Sequence, residues 1–229
     1  MGKNRKRPCA YRPGLEFYLR HDPEGGRLQS PGQFRGSLDA LARRNCLVLV
    51  HGFNNSDSGA ADAYLAFRNR EHTLYSNVDP AAFESFFGDT FWPGDAKWGF
   101  WDKLDFLIYP IAVRTAVQAA AALDTMLAQM PNLERVDFVG HSLGCRVVME
   151  TILLLRARGR PKVGRVVLMA AAVPSEMLER GGKFFDLMMQ LWAEGIEIRV
   201  HHSLDDNVLH FAFPPGQSLA GRKEAVTAR

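Results

Sequence analysis

Short, continuous apolar runs recur along the chain from residue 46 onward, and longer stretches separate them. The apolar runs cover residues 46–50, 86–92, 135–139, 165–171 and 196–201. Runs of this length that end in glycine or polar residues are typical of strands buried on both faces. The stretches between them have the length and apolar content of helices, and the predicted helices cover residues 60–74, 111–130 and 143–156. The chain therefore alternates strands with helices.

This alternation predicts an α/β fold with one mostly parallel sheet and helices on both faces, because parallel strands need long crossover connections. Residues 1–44 are rich in Gly, Pro and Arg and show little periodicity. We therefore expect a partly irregular N-terminal extension with one edge strand over residues 16–20. Residues 45–229 form the predicted domain. In a sheet of this kind, functional side chains lie at the carboxyl ends of the strands.

The third apolar run ends in Gly140-His141-Ser142-Leu143-Gly144, which is the pattern G-x-S-x-G between a predicted strand and a predicted helix. A serine at this position makes a sharp strand-to-helix turn, and the two glycines remove side chains that would collide there. The Ser142 hydroxyl is then exposed at a helix N-terminus, where the helix dipole favours negative charge. We predict Ser142 as a catalytic nucleophile, with the Leu143 amide facing the oxyanion.

The loop after the first apolar run supplies a second candidate for oxyanion binding. This run ends in His51-Gly52-Phe53. In hydrolases with a G-x-S-x-G turn, the second oxyanion donor is a backbone amide from such a loop, so we predict the Phe53 amide. Gly52 lets the chain approach the site closely. His51 lies early in the chain for a general base, and we expect it to hold its own loop.

The segment after the fifth apolar run carries the candidate acid. Asp205 and Asp206 follow Ser203 there, and the chain order of serine before aspartate is the expected one. Asp206 fits better than Asp205, because it lies three residues after Ser203 and two before Val208. A helix N-cap is the alternative role for Asp206. Glu176, after the fourth run, is a weaker alternative acid.

Together these segments resemble the α/β-hydrolase superfamily, and more narrowly a group of bacterial esterase-like α/β hydrolases of poorly defined function. The matching segments cover residues 47–54, 91–93, 140–146 and 203–209, with Tyr109 opening the Ala-rich helix. The resemblance spans roughly residues 45–213. It implies a serine esterase or lipase reaction on a carboxylic ester, with a catalytic triad, an acyl-enzyme on Ser142 and neither cofactor nor metal.

The chain departs from this family in its catalytic histidine. The family places that residue after one more strand, well beyond the acid, whereas the last histidine here is His210, four residues past Asp206. We favour the explanation that the chain lacks the C-terminal strand, histidine and helix of the fold, so that the base lies beyond Arg229. The alternative is a base within the chain, for which His210 is the first candidate and His201 or His202 are the others.

Other functions stay open on the sequence alone. The same nucleophile could serve a thioesterase or an acyltransferase, and a chain without the histidine could be a non-catalytic binding protein with the same fold. Trp92, Trp98 and Trp101 lie in an aromatic segment after the second predicted strand. They are candidates for contacts with an apolar acyl or alkyl group, and a packed structural loop is the alternative.

Composition and charge narrow the setting of the protein. The 229 residues are 47% apolar and 23% charged, as in an ordinary globular protein. The net charge of +3, from 28 Lys and Arg against 25 Asp and Glu, does not indicate nucleic-acid binding. Three cysteines, no secretory leader and no apolar run of about 20 residues predict a cytoplasmic protein without a membrane span. The expected partner is a small acyl ester.

Overall fold

The computed structural model describes residue 11 and residues 14–23, 26–53, 55–74, 77–94 and 105–202. The strands within them are β1 (Leu15–Arg20), β2 (Leu28–Gly36), β3 (Asn45–Val50), β4 (Phe87–Phe91), β5 (Arg135–His141), β6 (Lys162–Met169) and β7 (Ile198–His201). The helices are α1 (Asp57–Leu74), α2 (Pro80–Ser85), α3 (Asp105–Ala128), α4 (Gly144–Arg158) and α5 (Phe185–Ala193). Short 3-10 turns lie at Leu38–Ala42 and Ser175–Met177.

All seven strands form one sheet in the order β2-β1-β4-β3-β5-β6-β7. β1 and β2 are antiparallel, and every other neighbouring pair is parallel. The helices supply the long connections that parallel pairing requires. The predicted α/β fold with a mostly parallel sheet is therefore confirmed, and β3 and β5 lie side by side near its centre.

The predicted edge strand at residues 16–20 is wrong in its position. β1 lies between β2 and β4, so that Phe17 pairs with Phe34 on one side and with Thr90 on the other. All six β1 side chains are buried, including those of Glu16 and Arg20. These two charged residues give the segment the sequence pattern of a half-solvated strand, although both are buried in the fold. The expected irregular extension thus contributes two strands to the sheet.

The two faces of the sheet bury separate apolar clusters. On one face, α3, α4 and α5 pack against β-strand residues such as Val48 and Phe138. On the other face, α1 contributes Ala60 and Tyr64, which pack with Leu49 of β3 and other sheet residues. This two-sided burial explains why the strands read as continuous apolar runs rather than as alternating patterns.

A buried charged group ties α1 to β4. Arg68 of α1 is 1% exposed, and its Nη2 donates to the carboxylate of Asp89, which is fully buried. The Tyr11 hydroxyl also donates to Asp89, and Nε of Arg68 lies 3.4 Å from Oε2 of Glu84. Burial, followed by the nearby Asp89 charge, raises the pKa of Tyr11. Each of these charges therefore has a partner of opposite sign or a hydroxyl donor, which buried ions require.

Helix α3 contains an 18-residue window, Ile111–Ala128, that is long and apolar enough to cross a membrane by length and composition alone. Core helices of globular proteins meet the same criterion. More than half of this window is buried inside the fold, and α3 packs against α4, β1 and β2. That packing accounts for the apolar character of the helix.

Candidate active site

Ser142 lies in the turn between β5 and α4, and its backbone adopts a left-handed conformation with a φ of 51°. This region is strained for a residue that carries a side chain, and it is found where the surrounding structure enforces it. A Cβ on Gly144 would overlap carbonyl oxygens at the end of β3, and a Cβ on Gly140 would lie 3.0 Å from the Cα of Cys145. The turn thus has the geometry that the G-x-S-x-G motif predicts, with no room for a side chain at Gly144 and little at Gly140.

Backbone hydrogen bonds from β6 and from α4 fix this turn. The Ser142 N–H donates to the carbonyl oxygen of Met169 at 2.8 Å. The Ser142 carbonyl oxygen accepts from the N–H of Cys145 at 3.0 Å and from the N–H of Ala172 at 3.1 Å. Ala170 is the other described residue besides glycine with a positive φ, at 47°. Ser142 is therefore hydrogen-bonded to residues on both sides of Ala170, and the two strained residues lie at the ends of adjacent strands.

Cys145 does not compete with Ser142 as a nucleophile. Its side chain is fully buried, and Sγ donates to the Met169 carbonyl oxygen at 3.5 Å. Burial raises the pKa of the Cys145 thiol to about 12. A thiol must ionise to attack, so at neutral pH this cysteine is unreactive. Ser142, in contrast, is partly exposed.

The loop after β3 lies directly against the turn that carries Ser142. A Cβ added to Gly52 would lie 2.9 Å from the Ser142 Cβ and 2.9 Å from Nδ1 of His141. Phe53 follows in this loop, while Leu143 is fully buried at the start of α4. The Leu143 N–H donates to no acceptor among the described residues, as is usual for the first amides of a helix. The loop that carries Phe53 and the turn that carries Leu143 are therefore neighbours.

His51 is buried, and its ring is engaged on both sides. Its Nδ1 lies 2.9 Å from the carbonyl oxygen of Gly52, and its Nε2 accepts from the Trp92 N–H at 3.3 Å. The neutral tautomer with the proton on Nδ1 satisfies both contacts. Burial lowers the pKa of His51 to about 3. The imidazole is thus a neutral structural group bound to the backbone, in agreement with the expectation that it holds its own loop.

The backbone of His51 is held as well as its ring. Its N–H donates to the Tyr64 hydroxyl at 3.0 Å, and that hydroxyl donates to the Thr90 carbonyl oxygen at 2.5 Å. Its carbonyl oxygen accepts from Nε1 of Trp92 at 2.8 Å. Side chains from α1 and from the end of β4 therefore fix the start of this loop.

Trp92 lies in the core of the fold, whereas the sequence predicts that it contacts the substrate. Its side chain is fully buried, and its ring stacks on that of His51 with centroids 5.7 Å apart and planes 17° apart. The indole supports the loop after β3 from within the fold. The aromatic character of the segment predicts a contact with an apolar substrate group, but the indole N–H of Trp92 donates to the His51 carbonyl oxygen.

The remaining predicted site residues divide into two groups. The residues Asp206, His210, Trp98 and Trp101 lie outside the described residues. His201, at the end of β7, and His202 are both exposed. His201 pairs with Met169 of β6, which pairs in turn with His141 of β5. One strand therefore separates His201 from the strand that leads to Ser142.

A groove of about 370 Å³ opens beside the loop after β3, between α1 and the sheet. Its lining is largely apolar and includes Leu49, Phe67, Val139 and Met169. It reaches Gly52 and His141, which adjoin Ser142. Within the described ranges, no group of three His, Cys, Asp or Glu side chains is placed to hold a metal ion.

The family model described as alpha/beta hydrolase of unknown function (DUF900) matches residues 30–213 of the chain. The match includes β3, the turn at Ser142 and the segment that carries Asp206. The chain belongs to this family. No curated protein matches it. The fold and the hydrolase class of this α/β hydrolase therefore follow from its family, which leaves the substrate open.

The site of this α/β hydrolase also contains features that have no signal in the sequence. Arg20, Tyr64 and Trp92 support the loop after β3 from three different elements. Only their assembly in the fold reveals this role, because no motif relates residues so far apart. The positive φ of Ala170 could likewise not be predicted, because glycine and asparagine are the residues that usually indicate this conformation.

Proposed function

We propose that this α/β hydrolase is a serine hydrolase that cleaves a carboxylic ester through an acyl-enzyme on Ser142. The observation that carries the proposal is the strained backbone of Ser142, with a φ of 51°, at the N-terminus of a 15-residue helix. Strain of this kind persists where the surrounding structure enforces it, and it is concentrated at functional sites. The loop at Gly52 packs against the same serine.

The proposed reaction has two halves. In the first, a histidine takes the proton from the Ser142 hydroxyl as its oxygen attacks the ester carbonyl, and the histidine then protonates the departing alcohol. The amides of Phe53 and Leu143 donate to the oxyanion that forms in between. In the second half, water attacks the acyl-enzyme by the same route, so that the acid is released and Ser142 regains its proton.

The acid and base of this reaction are also proposals. Asp206 is the proposed acid that orients the histidine and stabilises its charged form, as in other serine hydrolases. His210 is the first candidate for the base within the chain. Trp98 and Trp101 are proposed to contact the acyl group, and the apolar groove beside Gly52 favours an apolar acyl or alkyl group over a charged one.

The experiment is ester turnover by the purified chain. Nitrophenyl esters of acetate, butyrate and octanoate are compared with the Ser142→Ala variant, in which we expect kcat to fall at least about 10³-fold because the nucleophile is lost. Ser175→Ala, an exposed serine on the turn after β6, is the matched control and should retain full activity. Equal turnover by wild type and Ser142→Ala would contradict Ser142 as the nucleophile, and a folded wild-type protein with no turnover of any ester would contradict a base within the chain.

A further inference from the structure

Arg20 is a buried cation at the carboxyl edge of the sheet, directly beneath the loops of the proposed site. It is fully buried at the end of β1. Its Nη1 donates to the carbonyl oxygen of Trp92 at 3.0 Å and to that of Asn55 at 3.1 Å, and its Nε makes a longer contact of 3.5 Å to Asp22. One side chain thus binds backbone carbonyls that follow three different strands.

We infer that Arg20 is a positioning residue that clamps both ends of the loop carrying the proposed oxyanion donor Phe53. This inference rests on the proposed function, because it assigns a task to that loop. The hydrogen bonds that Arg20 makes in the folded protein do not depend on that proposed function.

One end of the loop is held through Trp92. Arg20 fixes the Trp92 carbonyl, and Trp92 fixes His51 through two hydrogen bonds and a stacked ring. The opposite end is held directly, because Arg20 also binds the Asn55 carbonyl. The Asn55 side chain reaches back to the Gly52 carbonyl at 3.5 Å. The short segment between His51 and Asn55 therefore has both of its ends tied to one guanidinium group.

The chemistry of arginine suits this task better than that of lysine. A guanidinium group is planar and presents several donors at fixed angles, so it can bind two carbonyl oxygens at once without losing its geometry. In Arg20, Nη1 binds two carbonyl oxygens and Nε contacts a third, whereas a lysine has one nitrogen on a flexible stem and would not fix all three contacts at once. Because the charge is buried, loss of a partner is costly, and the loops are held in one arrangement.

The consequence for the reaction is pre-organisation of the oxyanion donor. An amide stabilises a transition state only if it already points at the developing charge, and loss of one such donor lowers kcat by about 10² to 10³. A loosened loop should misplace the Phe53 amide without removing it. We therefore expect Arg20→Lys to lower kcat by about 10- to 100-fold and to leave KM within about 3-fold, since the interaction is made in the transition state.

The test compares Arg20→Lys and Arg20→Gln with Arg68→Lys in the full chain. Arg68 is a matched control, because it is equally buried but bonds to Asp89 and Glu84 instead of to loop carbonyls. Two quantities are measured for each folded variant. The first is amide hydrogen exchange at Gly52, Phe53 and Asn55, and the second is kcat and KM for the best nitrophenyl ester.

The inference predicts faster exchange at these three amides and a lower kcat in both Arg20 variants, with neither change in Arg68→Lys. Exchange as slow as in the wild type would overturn it. Failure of Arg20→Lys to fold while Arg68→Lys folds would also overturn it, because Arg20 would then serve the whole fold. If the wild type turns over no ester, the proposed base within the chain fails, whereas the exchange measurement still decides whether the clamp exists.

Discussion

Two neighbouring parts of this α/β hydrolase are built in different ways. The turn at Ser142 is fixed by backbone atoms, through glycines that leave little or no room for side chains and through hydrogen bonds to Met169 and Ala172. The loop after β3, residues 51–55, is fixed by side chains that arrive from elsewhere, including Arg20 and Trp92. The first arrangement uses backbone atoms, and the second depends on side chains from distant elements.

This difference teaches how each part should respond to substitution. The turn requires residues without a Cβ at its tightest points, so one added methyl group there should disrupt it. A loop held by several side chains should weaken in steps as each support is removed. The substitutions below are therefore expected to have large effects in the turn and graded effects around the loop.

The largest effect is expected for Gly144→Ala. Its Cβ would overlap the carbonyl oxygens of Val50 and His51, and neither backbone can move without distorting β3. We expect a loss of about 3 kcal/mol in the free energy of unfolding, at the upper end for overpacking in a close-packed core. Urea denaturation followed by circular dichroism measures it.

Gly140→Ala is the matched control for this prediction. Its Cβ would approach the Cα of Cys145 to 3.0 Å, which is tight but leaves room for a small shift. We expect it to cost about 1 kcal/mol, well below the effect of Gly144→Ala. Equal losses of unfolding free energy in the two variants would show that contact with the end of β3 is not the reason why residue 144 must be glycine.

The next effect concerns pH and the buried His51. Its pKa is about 3 in the folded protein, because burial disfavours the charged ring, against 6.5 for an exposed histidine. The folded-state value is depressed, so its contribution to stability is present above pH 6.5 and is lost as the pH falls toward 3. Between pH 7 and pH 5, we expect wild type to lose about 2 kcal/mol more than His51→Gln.

Urea titrations of wild type and His51→Gln at pH 7, 6 and 5 measure this difference. Carboxylates also titrate in this range, but they are common to both proteins and cancel in the comparison. A difference in stability between the two proteins that stays constant from pH 7 to pH 5 would contradict the neutral, buried assignment of His51.

The smallest of the three effects is expected for Trp92→Phe. This variant keeps an aromatic ring to stack on His51 but removes the indole N–H that donates to the His51 carbonyl oxygen. We expect a loss of about 1.5 kcal/mol from the unpaired buried carbonyl and the smaller ring. Trp192→Phe, at a largely exposed tryptophan of α5, is the control and should change stability little. A loss as small as that of the control would remove Trp92 from the loop support.

The same contrast explains what could be predicted from the sequence. The strands, the alternation with helices and the turn at Ser142 are local patterns, and the structure follows them closely. The interior place of β1 could not be predicted, because the burial of Glu16 and Arg20 depends on partners found only after folding. The hydrogen bonds by which Arg20 and Tyr64 support the loop after β3 could not be predicted for the same reason. The roles of Asp206 and His210 stay predictions.

The central claim is that the strained turn presents an activated serine. The most direct measurement is intact-mass analysis followed by peptide mapping of the folded chain after treatment with a fluorophosphonate, beside Ser142→Ala. The account predicts one adduct per chain, on the peptide that contains Ser142, and no adduct in the variant. An adduct on another residue, or none on folded wild-type protein, would contradict it.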